Sequence, residues 1–313
     1  MNDIIILIMG YPASGKTIIA KEYEAKGYYR LNRDEMGGTL DGLVSQVERL
    51  YEEGTTHFIM DNTYVNKKSR QSIVKWAKKN DFEINCKWID IDIGDALYNA
   101  SKRMIDTYGK LLSPEEIKKS KDISVYPPVV IYRYRKMFEM PTVEEGFNNV
   151  EKITFSRTLN KSIYTNKAIL LDYDGSLRLT KSGEKYPSTP KDIEILPNRV
   201  EVLKKYQEQG YILLGVSNQS FIAKGELSLE DAQKCFEHTH ELLGIKFDYT
   251  FCPHQAYPQV CYCRKPMPGM GVTFIEKYKL DPSQCIMVGD MKTDNTFADR
   301  CGFQFIKAQD FFI

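Results

Sequence analysis

The stretch IIILIMGYPASGKT, Ile4 to Thr17, joins an uninterrupted apolar run to a glycine loop, and its reading decides the fold of the first part of the chain. β-Branched, short and ended by Gly10 and Pro12, the run predicts a buried strand. From Gly15 a helix is expected. The loop GYPASGKT matches G-x-x-x-x-G-K-[ST] at every fixed position. Between a strand and a helix, the backbone N–H groups around Gly10, Ser14 and Gly15 curl about phosphates and the helix N-terminus adds positive potential. Lys16 then reaches the outer phosphates and Thr17 ligates magnesium. Nucleotide binding is the expectation.

Working outward, strand and helix signals alternate. YYRL precedes Asn32, and a helix over GLVSQVERLYEE, a strand HFIMD, a helix SRQSIVKWAKK, a strand EINCKWIDID and a helix near ALYNASKRM follow. Such alternation predicts a parallel sheet with helices on both faces. From about 104 to 128 the sheet signal stops at charged segments, Ser113-Pro114 and the Pro127-Pro128 pair, and this span reads as a lid. A polar stretch near 151–166 leads into a new apolar strand, KAILLD. Alternation then resumes through RVEVLKKYQEQ, YILLGVS, SLEDAQKCFEHTHELL, FDYTF, GVTFIEKY, CIMVGD and TDNTFADRC. With 313 residues, more than one core usually spans, two α/β domains are predicted, 1–155 with a lid near 104–128 and 166–313.

Composition excludes several classes. The chain is 42% hydrophobic and 27% charged with no low-complexity tract, which argues against disorder. Its longest apolar runs fall short of the roughly 20 residues of a membrane span, and the N-terminal run has no basic leader, so a cytoplasmic protein without a membrane partner is expected. A net charge of +1 gives no global attraction for nucleic acid. Local basic segments at 66–70, 75–79 and 132–136 could supply one, or serve as solvated helix faces. Seven cysteines do not suggest a disulfide framework, and three of them crowd into FCPHQAYPQVCYCRKP. There Cys252, His254, Cys261 and Cys263 form C-x-H and C-x-C pairs; three thiolates and an imidazole predict a closed, structural zinc site. Cys86, Cys235, Cys285 and Cys301 read as core positions, while His57, His238 and His240 show no evident partner.

Carboxylates at strand ends supply the chemistry. In LNRDEMGG, Asp34 faces the phosphate loop, where it can accept a proton from an attacking hydroxyl or simply cap the next helix. In HFIMDNT, Asp61 can hold magnesium through water or act as a cap. LLDYDGSL places Asp172 and Asp174 at i and i+2 beyond a strand. One such carboxylate can attack phosphorus while the other protonates the leaving oxygen and later activates water. Ser217, Lys265 in CRKPMPG, and Asp290 with Asp294 in VGDMKTD follow in order.

GYPASGKT, LNRDEMGG, IMDNTYVNKKSR and VVIYRYRKMFEMPTVEEGF resemble, in that order, the kinase domain of polynucleotide 5′-hydroxyl kinases. The resemblance implies a P-loop kinase fold, ATP as phosphate donor, Asp34 as general base and Arg103, in NASKR, on the ATP phosphates. Gly37 and Asn99 stand where phage-type enzymes carry arginines. LLDYDGSL and the three motifs after it resemble the haloacid dehalogenase superfamily of phosphatases, with its Rossmann-like fold. That resemblance implies an aspartyl-phosphate on Asp172, acid–base work by Asp174, phosphoryl contacts from Ser217 and Lys265, and magnesium held by Asp172 and Asp290, with Asp174 and Asp294 as further magnesium ligands. The Cys-His-Cys-Cys loop is similar to that of the histidinol-phosphate and heptose-bisphosphate phosphatase branch. Together the halves resemble a bifunctional polynucleotide kinase-phosphatase acting on DNA or RNA ends ahead of a ligase. The alternative is a small-molecule kinase fused to a sugar- or amino-alcohol-phosphate phosphatase.

Overall fold

The computed structural model describes residues 3–258 and 260–313. It divides into two compact units, one of residues 1–99 and 120–157, the other of residues 100–119 and 158–313.

In the first unit β1 (Ile4–Met9) leads through the glycine loop into α1 (Lys16–Glu24). There follow β2 (Tyr29–Leu31), the single turn α2 (Arg33–Met36), α3 (Leu40–Glu52), β3 (His57–Asp61), α4 (Lys67–Lys79) and β4 (Glu83–Asp90). Helix α5 (Ile93–Tyr108) straddles the division, and α6 (Pro114–Lys119) lies in the segment that groups with the second unit. Helix α7 (Val129–Met137) and β5 (Asn149–Thr154) complete the first unit. All five strands run parallel in the order β2-β3-β1-β4-β5. Period-two alternation sends Ile5, Leu7 and Met9 into one core with Leu43, Val47, Ile73 and Trp76 of α3 and α4, while Ile6 and Ile8 are buried on the opposite face. The span expected to form a lid does not stay together: 104–119 groups with the second unit and 120–128 with the first.

The second unit contains β6 (Ala168–Leu171), an antiparallel hairpin of β7 (Arg178–Thr180) and β8 (Ile193–Ile195), α8 (Arg199–Glu208) and β9 (Ile212–Asn218). After these come α9 (Ser220–Ala223), α10 (Leu229–Leu243), β10 (Asp248–Cys252), α11 (Gly269–Tyr278), β11 (Ile286–Gly289), α12 (Lys292–Cys301), β12 (Gln304–Lys307) and α13 (Ala308–Phe311). Its parallel sheet has the order β10-β9-β6-β11-β12, with Ile169 and Leu171 facing one core and Ala168 and Leu170 buried behind them. Two parallel-sheet α/β halves are thus present. In such sheets ligand sites form beyond the carboxyl ends of the strands, where loops from neighbouring strands converge.

Candidate active sites

The glycine loop of the first unit is bent by residues with positive φ, Ala13 at 63° and Gly15 at 92°, the latter a conformation that a side chain would strain. Lys16 Nζ donates to the carbonyls of Tyr11 at 2.7 Å and Gly10 at 3.1 Å, folding back over the loop. Thr17 Oγ1 donates to Asp61 Oδ2 at 2.9 Å, so the expected magnesium ligand touches the acid expected to hold that ion through water. Asp61 is buried and, among the described residues, its Oδ1 has no hydrogen-bond partner; the buried Ser14 hydroxyl has none there either. Orphaned buried oxygens beside a threonine hydroxyl fit a hydrated cation with its phosphates.

The capping alternatives for the two acids do not hold. Asn32 caps α2, its side chain accepting from the N–H groups of Asp34 at 2.8 Å and Glu35 at 3.2 Å. Asn66 caps α4. Asp34 is left half exposed in the first turn of α2, paired with Arg33 at 2.5 Å. Arg30 was not singled out in the sequence. One of its nitrogens meets Asp61 at 2.8 Å, and its fork holds Glu35 at 2.9 and 3.0 Å, tying α2 to the end of β3. Asn99 donates to the Ala13 carbonyl at 3.0 Å. Arg103 lies beyond it on α5, half-buried, in the stretch that groups with the second unit. Among the basic segments, Arg70 is no surface charge: it is buried, with its guanidinium on Glu145 at 2.6 and 2.8 Å. Lys67, Lys68, Lys75, Lys78 and Lys79 on α4, and Arg133, Arg135 and Lys136 on α7, are exposed.

In the second unit Asp172 follows β6, Ser217 lies near the end of β9, and Asp290 and Asp294 follow β11. Lys265 Nζ reaches Asp172 at 2.6 Å, Asp294 at 2.7 Å and the Val216 carbonyl at 3.0 Å. Reciprocal bonds with the Asn218 amide, both 2.9 Å, hold the Lys265 backbone. Burial disfavours the Lys265 charge, yet Asp172 and Asp294 outweigh it and raise its pKa. The same burial pushes the Asp172 carboxyl up, so its ionised form depends on Lys265.

Asp172, Asp290 and Asp294 bring carboxylate oxygens within 4.8 Å of one another. Three carboxylates against one ammonium leave two negative charges uncompensated, the charge of a divalent cation with oxygen ligands. Gly175 is needed beside them: a Cβ there would meet Asp290 Oδ2 at 2.6 Å. Asp174 stands outside this acidic group, a departure from the expected set. Its Oδ1 accepts from Arg178 Nε at 2.8 Å and its Oδ2 from Gln219 Nε2 at 3.0 Å. Gln219 also donates to the buried Ser217 hydroxyl at 2.9 Å. A cavity of about 390 Å³ opens onto Asp172, Asp174, Ser217 and Lys265, and Gln255, Val260 and Arg264 of the cysteine loop line its other wall.

That loop, described apart from Gln259, gathers Cys252, His254, Cys261 and Cys263. Cys252 and Cys261 sulfurs are 3.7 Å apart, and His254 Nδ1 lies 3.2 Å from Cys263 and 3.5 Å from Cys252. These separations match the edges of a tetrahedron with metal–ligand bonds of about 2.0–2.3 Å, and the donor set suits zinc. The other four cysteines are buried. His240 does have a partner, the Tyr173 hydroxyl at 2.9 Å, and His238 pairs with Glu241.

An acid at the end of the first strand, a lysine held on it, and an acidic group after a later strand define, on this parallel sheet, a phosphatase of the haloacid dehalogenase class. Comparison with known proteins agrees. A family model described as polynucleotide kinase 3 phosphatase matches residues 167–312. The D-glycero-beta-D-manno-heptose-1,7-bisphosphate 7-phosphatase of Haemophilus ducreyi is 35% identical over 146 residues, 44% of this chain and 79% of that protein. The bifunctional polynucleotide phosphatase/kinase of Schizosaccharomyces pombe is 28% identical over 152 residues, 48% of this chain and 33% of that one. A chain in the solved Pnkp1/Rnl/Hen1 complex covers 98% of this chain and 96% of its own length, at 17% identity and a TM-score of 0.34. The chain belongs, through its second half, to the phosphatase family that includes the heptose-bisphosphate phosphatases and the phosphatase module of polynucleotide kinase-phosphatases. The resemblance to bifunctional polynucleotide kinase-phosphatases recognised in the sequence is borne out.

Proposed function

We propose that this protein heals broken polynucleotide ends: its first half transfers the ATP γ-phosphate to a 5′-hydroxyl, and its second half removes a 3′-phosphate. The observation that carries the reading is the coexistence, in one chain, of the Lys16–Thr17–Asp61 cradle and the Asp172–Lys265–Asp294 cluster. In the kinase half Lys16 draws the outer phosphates into the loop, and Asp34, half exposed in the first turn of α2, takes the proton of the attacking hydroxyl. Arg103 is assigned to the ATP phosphates on the resemblance alone. Thr17 and Asp61 would hold magnesium, and the basic faces of α4 and α7 would guide the strand.

In the phosphatase half Asp172 attacks phosphorus, and Asp174 hands its proton to the departing 3′-oxygen as the ester P–O bond breaks. Asp174 then takes a proton from the water that displaces phosphate from Asp172, restoring both acids. Ser217 and Lys265 hold the phosphoryl oxygens. Asp172, Asp290 and Asp294 would ligate magnesium, which neutralises phosphoryl charge when bound. The four donors of the cysteine loop would hold structural zinc and thereby fix one wall of the cavity. The products, a 3′-hydroxyl and a 5′-phosphate, are the ends a nucleic-acid ligase consumes.

A second reading, a small-molecule kinase joined to a sugar-phosphate phosphatase, is favoured by the 35% identity to a heptose-bisphosphate phosphatase. One assay separates them: γ-labelled ATP, magnesium and a single-stranded oligonucleotide with 5′-hydroxyl and 3′-phosphate ends, followed at both ends. End healing requires label gain and 3′-phosphate release. Label without release sends the second half to sugar phosphates, and the absence of both signals overturns the end-healing reading.

A further inference from the structure

We propose that Arg178 is a positioning residue that aims the Asp174 carboxyl at the leaving oxygen. The proposal rests on the phosphatase reading above and adds a residue that does not touch the substrate. Arg178 opens the short strand β7 and is almost wholly buried, an unusual place for a guanidinium unless a partner offsets its charge. That partner is Asp174, at 2.8 Å from Nε. The far end of the guanidinium is pinned to α10, where Nη1 donates to the Cys235 carbonyl at 2.8 Å and to the Thr239 hydroxyl at 2.7 Å. Thr239 in turn donates to the Cys235 carbonyl, also at 2.7 Å. The rings of Tyr173 and Phe236 lie 5.2 and 5.1 Å from the guanidinium carbon and confine it further.

With Gln219 on the other oxygen, both Asp174 oxygens are held by donors anchored in different elements, Arg178 through α10 and Gln219 through Ser217 of β9. An acid that serves twice, giving a proton as the ester P–O bond breaks and taking one from water as the Asp172–phosphorus bond breaks, needs its oxygens in one place for both steps. Mispositioning by about 1 Å is enough to cost such a group on the order of 100-fold in rate. A mobile carboxylate would supply neither step well. Arg178 does not line the cavity among the described residues, so its effect passes through Asp174.

The readout is the dependence on leaving group. p-Nitrophenolate departs without a proton, whereas the 3′-oxygen of an oligonucleotide requires one. Arg178→Met should lower the single-turnover rate of leaving-group release, which precedes the water step that both substrates share, by about 10–100-fold on a 3′-phosphorylated oligonucleotide with binding within about twofold, and by no more than about threefold on p-nitrophenyl phosphate. Arg178→Lys should recover part of the loss. Binding of beryllium trifluoride with magnesium, which occupies Asp172 without proton transfer, should persist in Arg178→Met. Equal losses on the two substrates, or none, overturn the proposal. If Arg178→Met does not fold, Thr239→Val, which removes one anchor and keeps the guanidinium, should show the same split at about 3–10-fold, and its absence is decisive against it. Asp174→Asn separates the two levels. A split there without one in the Arg178 and Thr239 variants sinks the positioning role alone, while no split in Asp174→Asn, or a wild type inactive on the oligonucleotide, sinks the phosphatase reading beneath it.

Discussion

Lys265 stands between two largely buried carboxylates, and its own ammonium is almost wholly buried. Lys265→Met should therefore destabilise the second unit by about 3–5 kcal/mol, the usual result of breaking a buried ion pair on one side. Phosphatase turnover should fall by about 100–1,000-fold, as it does when a preorganised electrostatic donor is lost. Urea unfolding and phosphate release measure the two effects; a variant as stable as the parent would mean that the cluster takes up water or protons freely. His240 makes a different prediction. Burial first, then the charges of Arg178 and Lys246, lower its pKa from 6.5 to about 4. An unfolded chain binds this proton from pH 6.5 downward, whereas the folded one does so only near 4. The stability His240 contributes is thus complete above pH 6.5, is lost progressively between 6.5 and about 4, and changes no further below. His240→Gln should show a shallower fall in urea midpoint over that window, and parallel curves would contradict the assignment.

Among the elements, the cysteine loop depends most on a ligand outside the chain. Its donors sit so close that the thiols share protons unevenly, Cys261 pulled down and Cys252 pushed up to about 12, each by hydrogen bonding to its neighbours. A bound cation relieves that crowding. Metal determination should give about one zinc per chain, and chelation or Cys261→Ser should lower the Tm of the second unit and loosen the cavity wall at Val260 and Arg264. Chelation without a change in Tm would remove zinc from the account. The loop was legible in the sequence because all its donors fall within twelve residues. So were β1, β3, β6, β9 and β11, whose apolar runs are buried on both faces. Other elements gave no such signal. β5 carries NVEKIT on a sheet edge with four of its six residues exposed, β12 is likewise an edge strand, and β7 and β8 are three-residue pieces. The site divides the same way. Residues at strand ends within motifs stood out. Arg30 and Gln219 did not, because their partners Asp61 and Asp174 lie 31 and 45 residues away. Arg178 is only four residues from Asp174, but in sequence it reads as the polar position of an alternating strand.

At the scale of the molecule the proposed function gives the two halves separate chemistries under a net charge of only +1, so that strand capture would come from local charge rather than from the field of the whole protein. Lys16→Ala should abolish 5′-labelling and spare 3′-phosphate release, and Asp172→Asn should do the reverse; loss of both activities in either variant would contradict two independent sites. Strand capture adds a salt dependence. Arg133, Arg135 and Lys136 are exposed on one short helix of the first unit, and neutralising a phosphate with each releases condensed counterions. For a single strand, three such contacts give a log–log slope of about −2, a loss of roughly 20-fold in kcat/KM for 5′-labelling between 50 and 200 mM salt. A nucleoside 3′-monophosphate offers the same 5′-hydroxyl but no strand, so its labelling should fall by no more than about twofold. Replacing all three residues with glutamine should flatten the oligonucleotide slope toward that of the mononucleotide while leaving mononucleotide labelling in place. Equal salt effects on both acceptors would mean that the strand is not tracked by α7, and a steep slope that survives the triple replacement would move the contact to the lysines of α4.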